Sequence, residues 1–174
     1  EALFDYATTK RGRSNNYPPY GLGVIARHLL DNGIEARICN LNHEILKKCS
    51  QTENASQFDF SATYKSKLAN DVEGFQPDLI GVTCLFTVTH PSLVDVCNEV
   101  KSLEPSWLKE GSRLPLAVGG VHVTHDVEKI LTEIPCVDFL FLHEAELSFL
   151  HFIEVVNQKR SPENLSQLII NAPE

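Results

Sequence analysis

Three short apolar runs, separated by segments whose apolar residues recur at helical spacing, constrain the fold of this chain more than any other feature. They cover residues 79–85, 115–118 and 137–142. A nearly continuous apolar run of this length is typical of a parallel strand that is buried on both faces. Parallel strands need long crossover connections, which are usually helices. The alternation therefore predicts an α/β domain whose parallel sheet is covered by helices on both faces.

Two further segments, residues 2–6 and 34–41, are expected to add strands, which makes five in all. The first is short and apolar, and the second alternates between apolar and polar side chains. Residues 42–75 are interpreted as a helical, loop-rich insert. The main helices are predicted to begin at Tyr20, Pro91, Asp126 and Leu147. The order of elements is that of a flavodoxin-like, five-stranded parallel sheet.

The chain is long enough for one domain and a short tail. Its 174 residues fit a single domain, which we assign to residues 1–157. Residues 158–174 are interpreted as a linker or the start of a following domain. Because the chain begins at Glu1 and ends abruptly at Glu174, we expect it to be cut from a longer protein.

Charge and cysteine content exclude several classes of protein. The formal net charge of −8 disfavours non-specific binding to nucleic acid or to an anionic membrane. No apolar run approaches the roughly 20 residues of a membrane span, and no signal peptide is recognisable. The five cysteines form no CxxC, which argues against a disulfide scaffold, a zinc ribbon or an iron–sulfur site within this chain. We therefore expect a cytoplasmic protein with reduced thiols, no membrane span and no nucleic-acid partner.

Ligands of such sheets bind beyond the carboxyl ends of the strands, so the loops at that edge are the candidate functional segments. None contains the glycine patterns of a dinucleotide-binding turn or a P-loop. Thr87 and Thr89 could bind a polar ligand, or they could cap the helix that follows. The loops follow the first, third, fourth and fifth predicted strands, at residues 7–19, 84–90, 119–125 and 143–146.

Gly119 and Gly120 end the fourth predicted strand without side chains. This allows close approach of a ligand or of another chain segment, and it also suits a tight turn. If a ligand lies there, we expect Gly120→Val to block binding and to leave thermal melting nearly unchanged.

Histidines and carboxylates occupy the remaining loops. His122 and His125 could share a metal only on one helix face. They precede the predicted helix, for which Asp126 is the expected cap, so we predict no metal site. Glu144 and Glu146 are either a functional carboxylate pair or acids favoured at a helix start. No catalytic serine or cysteine constellation with a known spacing is present.

Four segments in the same order together resemble the cobalamin-binding domain found N-terminal to radical SAM domains, in the cobalamin-dependent radical SAM methyltransferase-like family. Each is similar to a motif of that family: "PPLGLxxLAxxLxxxGhxV", "PDxVGISxxT", "GGxHxT" and "VDxVxxGEGExT". The resemblance covers roughly residues 1–157. The corresponding segments here are residues 17–35, 77–84, 119–124 and 137–147.

The resemblance implies a Rossmann-like domain that holds cobalamin at the carboxyl edge of its sheet. Glu144 stands, with Glu146, where the family has its acidic pair. The other residues that the resemblance implies for cofactor binding line or border the nucleotide tail: Thr83, Leu85, Thr87, Gly119, Gly120 and His122.

The family also implies chemistry that this chain does not contain. In such enzymes a separate domain of the same protein cleaves SAM at a [4Fe–4S] cluster, and methyl transfer is the common outcome. This chain has no CxxxCxxC, so we expect the chain alone to catalyse nothing. Two departures stand out, the absence of the cobalt-ligating DxHxxG and the corner His143-Glu144-Ala145-Glu146 in place of GEGE. Two alternatives are an interaction module that binds no cobalamin and a stand-alone cobalamin carrier or sensor.

Overall fold

The computed structural model describes residues 19–53, 55–159 and 167–171, which form a four-stranded mixed sheet and seven α-helices. The strands are β1 (Ile80–Thr83), β2 (Leu116–Gly119), β3 (Phe139–Phe141) and β4 (Leu168–Ile170). The helices are α1 (Tyr20–Asp31), α2 (Leu41–Gln51), α3 (Phe60–Phe75), α4 (His90–Ser102), α5 (Val121–His125), α6 (Val127–Glu133) and α7 (Glu146–Val156).

The order of strands in the sheet is the order in which they occur along the chain, β1-β2-β3-β4. β1, β2 and β3 are parallel, and β4 pairs with β3 in the antiparallel direction. In this register Thr83 lies opposite Gly119, and Gly119 lies opposite Phe141. The three parallel strands therefore end level with one another, and the loops that follow them meet at one edge.

Side chains of β2 and β3 alternate between two apolar layers, as strands buried on both faces require. β1 departs from the predicted burial on both faces, because Gly81 and Thr83 are exposed. Leu116, Val118 and Leu140 pack into the larger layer with residues of α3, α4 and α6. Ala117 and Phe141 point the other way and pack against Phe152 of α7. α1 packs against α7 on this second face. The prediction of an α/β domain is confirmed.

Three of the five predicted strands are confirmed, and the five-stranded parallel sheet is not. Residues 2–6 lie outside the described residues. Residues 34–41 were wrongly predicted as a strand: residues 34–40 do not join the sheet of the described part of the chain, and α2 begins at Leu41. Alternating polarity suits a strand, but a strand also needs a hydrogen-bonding neighbour, which no short sequence pattern specifies.

The fourth strand comes from the tail. β4 is only three residues long and closes one side of the sheet, where the Leu142 N–H donates to the Gln167 carbonyl and the Asn171 N–H to the Asp138 carbonyl. The sequence analysis interpreted residues 158–174 as a linker or the start of a following domain. The boundary at residue 157 stays a prediction.

The insert at residues 42–75 is helical, as the sequence predicted. Asn40 accepts the His43 N–H with its side chain at the start of α2, and Asp59 accepts the Ala62 N–H in the same way at the start of α3. Such caps satisfy backbone donors that have no partner within the helix. None of the helices in the described ranges combines the length and apolarity needed to cross a bilayer.

Candidate functional site

The carboxyl edge of β1, β2 and β3 carries an unusual group of exposed apolar side chains, here called the apolar rim. They are 54% to 75% exposed, and three of them lie in the loop after β1. Two threonines, Thr83 and Thr87, are exposed beside them. Exposed apolar groups next to hydroxyls are typical of a surface that binds a partly apolar ligand or partner. The apolar rim consists of Leu85, Phe86, Val88 and Val121.

Gly120 brings the loop after β2 against the loop after β1. Its φ of +108° is one that residues with side chains rarely adopt, and a Cβ there would lie 2.4 Å from the Cys84 carbonyl oxygen. The same Cβ would lie 3.0 Å from the Thr83 hydroxyl oxygen. Of the alternatives left open for Gly120, the structure identifies close approach of another chain segment. The expectation that Gly120→Val leaves thermal melting unchanged is therefore wrong.

Gly119 is also close to a neighbouring strand. A Cβ at Gly119 would lie 3.3 Å from the Phe141 carbonyl oxygen of β3. The two glycines thus allow backbone segments to pack closely at the edge.

A chain of hydrogen-bonding side chains runs from the rim into the protein. The Thr87 hydroxyl lies 3.3 Å from His122 Nδ1, and His122 Nε2 lies 2.9 Å from His90 Nδ1. His90 Nε2 lies 2.8 Å from a carboxylate oxygen of Glu133. The two imidazoles are buried, whereas Thr87 and Glu133 are exposed at the two ends. This side-chain network therefore links the carboxyl edge of the sheet to the surface of α6.

His122 has no direct access to solvent. Only 2% of the residue is exposed, and burial, followed by the neighbouring His90, lowers the pKa of His122 below its ordinary value. The Asp126 carboxylate lies 3.8 Å from Nδ1 and opposes this shift. The lowered pKa is consistent with a neutral His122 ring, which accepts one hydrogen bond and donates another.

The HxxHD segment differs from its prediction. His122 and His125 lie on α5, a helix that the sequence analysis did not anticipate, and not in a loop before it. Asp126 precedes α6 but forms no side-chain cap there in the described structure. His122 is engaged with Thr87 and His90, whereas His125 is exposed. Within the described ranges, no group of three or more histidines, cysteines or carboxylates is placed to hold a metal ion.

A cavity of about 360 Å³ opens between the loops after β2 and β3. Of the residues predicted for the site, only Glu144 lines it. Four other lining residues lie in the loops that the sequence analysis named as candidate functional segments, although none of the four was assigned to cofactor binding, and Gln167 lies outside those loops. The remaining lining residues are Val121, Thr124, His125, His143 and Gln167.

The corner after β3 adopts a glycine-like turn without glycine. His143 has a φ of +58°, in the left-handed region. Its backbone N–H donates to the Thr124 hydroxyl at 2.8 Å, which ties the corner to α5. Glu146 lies in the first turn of α7, where an acidic side chain interacts favourably with the helix dipole.

The two threonines of the loop after β1 have different roles. Thr89 precedes α4 without capping it through its side chain in the described structure, and its hydroxyl donates to the Phe86 carbonyl at 2.7 Å. Thr87 instead faces His122. The capping alternative is thus not observed for Thr89.

The structure brings most of the predicted site residues to one edge. Thr83, Gly120 and His122 meet through the Cys84 segment, where the His122 N–H donates to the Cys84 carbonyl at 3.2 Å. Leu85 belongs to the apolar rim, and His122 lies behind Thr87 rather than at the surface. Glu144 lines the adjacent cavity.

Comparison with known proteins gives a family match over most of the chain. The model of the B12 binding domain family matches residues 11–153. The chain is 24% identical over 139 residues to the cytidylyl-2-hydroxyethylphosphonate methyltransferase of Streptomyces wedmorensis, covering 80% of the chain and 24% of that protein. It is 25% identical over 95 residues to an uncharacterized methyltransferase of Pyrococcus horikoshii, covering 55% of the chain and 19% of that protein. No solved structure matches the chain.

Proposed function

The chain belongs to the B12 binding domain family, and from this premise we propose that it binds cobalamin at the carboxyl edge of β1, β2 and β3. The observation that carries the proposal is the apolar rim, which lies beside two exposed hydroxyls and a cavity. A flat, partly apolar cofactor with many amide groups needs this mixture of surfaces.

The residues of this edge fit the chemistry of cobalamin. Leu85 and Val121 offer apolar contact for the corrin ring or the base of the nucleotide tail. Thr83 and Thr87 offer hydroxyls to polar groups of the tail. Glu144, in the cavity, offers an acceptor to amide side chains of the corrin.

The residues behind this surface support these contacts. Gly119 and Gly120 allow the loops to meet closely, and His122 supports Thr87 from behind. When bound, cobalamin supplies the organometallic chemistry of methyl transfer, while the protein supplies binding and orientation. The sequence has no DxHxxG, so we propose no histidine ligand to cobalt from this chain.

We further propose that the domain works within a larger methyltransferase. Both relatives are named methyltransferases, and the chain spans about a quarter of the first and a fifth of the second. Because the chain contains no CxxxCxxC, a SAM-cleaving [4Fe–4S] domain would have to lie elsewhere in the parent protein. The reaction would then be a radical SAM methyl transfer or a related radical reaction.

Substitution of an exposed rim residue tests the binding site without disturbing the core. Val121 is 57% exposed, so Val121→Glu should fold normally but place a carboxylate against the cofactor. We expect hydroxocobalamin affinity to fall at least tenfold in equilibrium filtration. Val156→Glu is the matched control, because Val156 is 61% exposed at the last residue of α7 and should not alter binding.

Three results distinguish the alternatives. Loss of affinity in Val121→Glu alone supports the carboxyl-edge site. Equal affinity in both variants contradicts the site, although not the cofactor. No binding by the unmodified chain at high micromolar hydroxocobalamin contradicts the proposal and favours an interaction module, for which the apolar rim is the docking surface.

A further inference from the structure

The side-chain network behind Thr87 has a single direction, and this direction carries an inference about the ligand. Glu133 ends the network with a carboxylate, which accepts hydrogen bonds only. His90 Nε2 must therefore carry the proton of that hydrogen bond. We take His90 as a neutral imidazole, whose other nitrogen is an acceptor, so that His90 Nδ1 accepts.

The same reasoning determines which atoms donate between His90, His122 and Thr87. His90 Nδ1 accepts, so His122 Nε2 must donate across the 2.9 Å contact. His122 Nδ1 is then the unprotonated nitrogen and accepts from the Thr87 hydroxyl. The lowered pKa of His122, caused first by burial, agrees with a neutral ring.

We propose that His122, held by His90 and Glu133, is a positioning residue that turns the Thr87 proton inward. Thr87 then presents only oxygen lone pairs to the ligand, and its partner on the ligand is a hydrogen-bond donor. This inference rests on the proposed cobalamin site. In cobalamin the donors are the amide N–H groups of the corrin side chains and the hydroxyls of the tail ribose. The unprotonated nitrogen of the benzimidazole base is an acceptor and is excluded as the partner.

The ring tautomer tests the orientation without any ligand. We expect nitrogen NMR of the histidine side chains to show a pyridine-type Nδ1 and a protonated Nε2 for His122. A protonated Nδ1 on a neutral His122 ring would overturn the proposal. A residue that served packing alone would require neither tautomer.

Charge reversal at the far end of the network tests whether Glu133 sets the direction. In Glu133→Lys the carboxylate is replaced by a group that only donates, so we expect the His122 tautomer to change. Glu128→Lys is the matched control, because it makes the same change of charge at an exposed position of α6. The same tautomer in both variants would overturn the role of Glu133.

Removal of the Thr87 hydroxyl tests the donor on the ligand. We expect Thr87→Val to weaken hydroxocobalamin binding about three- to tenfold, the effect of one hydrogen bond. Dicyanocobinamide keeps the corrin amides but lacks the nucleotide, so it distinguishes an amide donor from a ribose donor. A weaker affinity for both compounds indicates an amide, and a weaker affinity for hydroxocobalamin alone indicates the ribose.

The experiments distinguish an error in this inference from an error in the proposed function. Unchanged affinity of Thr87→Val for both compounds would overturn the ligand contact while the cofactor site stands. If the wild-type chain has the expected tautomer but binds neither compound, the cobalamin proposal fails. The inward orientation of the Thr87 proton is supported in that case, and the contact with cobalamin is overturned.

Discussion

At the scale of single residues, Gly120 is the position where the fold of the edge is most sensitive to substitution. We expect Gly120→Ala to lower the free energy of unfolding by about 2–5 kcal/mol, because it combines a strained positive φ with a clash against the Cys84 carbonyl. Chemical denaturation measures this change. Gly23→Ala is the control, since Gly23 lies within α1 with open space around it and alanine should stabilise the helix by about 0.5–1 kcal/mol. Equal stability of Gly120→Ala and wild type would contradict the close approach.

His122 gives the stability a dependence on pH. Its pKa is lowered in the folded protein, so the unfolded chain binds the extra proton more readily. The contribution of a neutral His122 is therefore complete above about pH 6.5, the ordinary histidine value, and is lost as the pH falls below it. Chemical denaturation between about pH 5 and about pH 8 measures this effect. The free energy of unfolding should fall less steeply toward low pH in His122→Gln than in wild type. Parallel declines in the two proteins would contradict this account.

Residue types indicated which side chains gather at the edge but not how they are arranged. The sequence predicted Thr87, Gly120 and His122 as members of one site, and the structure brings them together. It gave no sign that His90 and Glu133 lie behind them, because these residues come from two different helices. Contacts of that kind depend on tertiary packing and have no local pattern.

At the scale of elements, Asp138 connects three of them at the amino edge, opposite the proposed site. One of its carboxylate oxygens accepts the Leu116 N–H at the start of β2 and the Lys101 ammonium of α4, while its residue leads directly into β3. Lys101 also donates to the Leu114 carbonyl. Asp138, which belongs to the segment similar to "VDxVxxGEGExT", therefore has a structural role here.

Removal of this carboxylate should destabilise the protein without affecting ligand binding. We expect Asp138→Ala to lower the free energy of unfolding by about 2–3 kcal/mol, because it leaves the mostly buried Lys101 and the Leu116 N–H without their partner. Glu99→Ala, which removes the partner of the more exposed Lys65, should cost less stability than Asp138→Ala. Weaker cobalamin binding by folded Asp138→Ala would show that this edge takes part in the site.

Elements defined by strong local patterns were predicted well, and elements that depend on a neighbour were not. The apolar runs at β1, β2 and β3 and the helical period of α4 and α7 are local signals. β4 has only three residues and exists because β3 has a free side to pair with. Residues 34–40 have the alternation of a strand but no place in the described sheet.

At the scale of the whole molecule, the two apolar layers stabilise the sheet, and the carboxyl edge of that sheet carries the proposed binding site. The larger layer, formed with α3, α4 and α6, and the smaller layer under α7 hold the parallel strands so that they end level. The edge then presents the apolar rim and the cavity together. Nothing in this arrangement requires the chain itself to supply a cobalt ligand or a reactive group.

The most direct test of the account is an amide NMR titration of the isotope-labelled chain with hydroxocobalamin. We predict one-to-one binding, with the largest shifts at residues 83–88, 119–125 and 142–145, and little change at Asp138 and Leu116 on the opposite edge. Shifts centred on the amino edge would contradict the site, and no shifts at saturating hydroxocobalamin would contradict cobalamin binding by this chain.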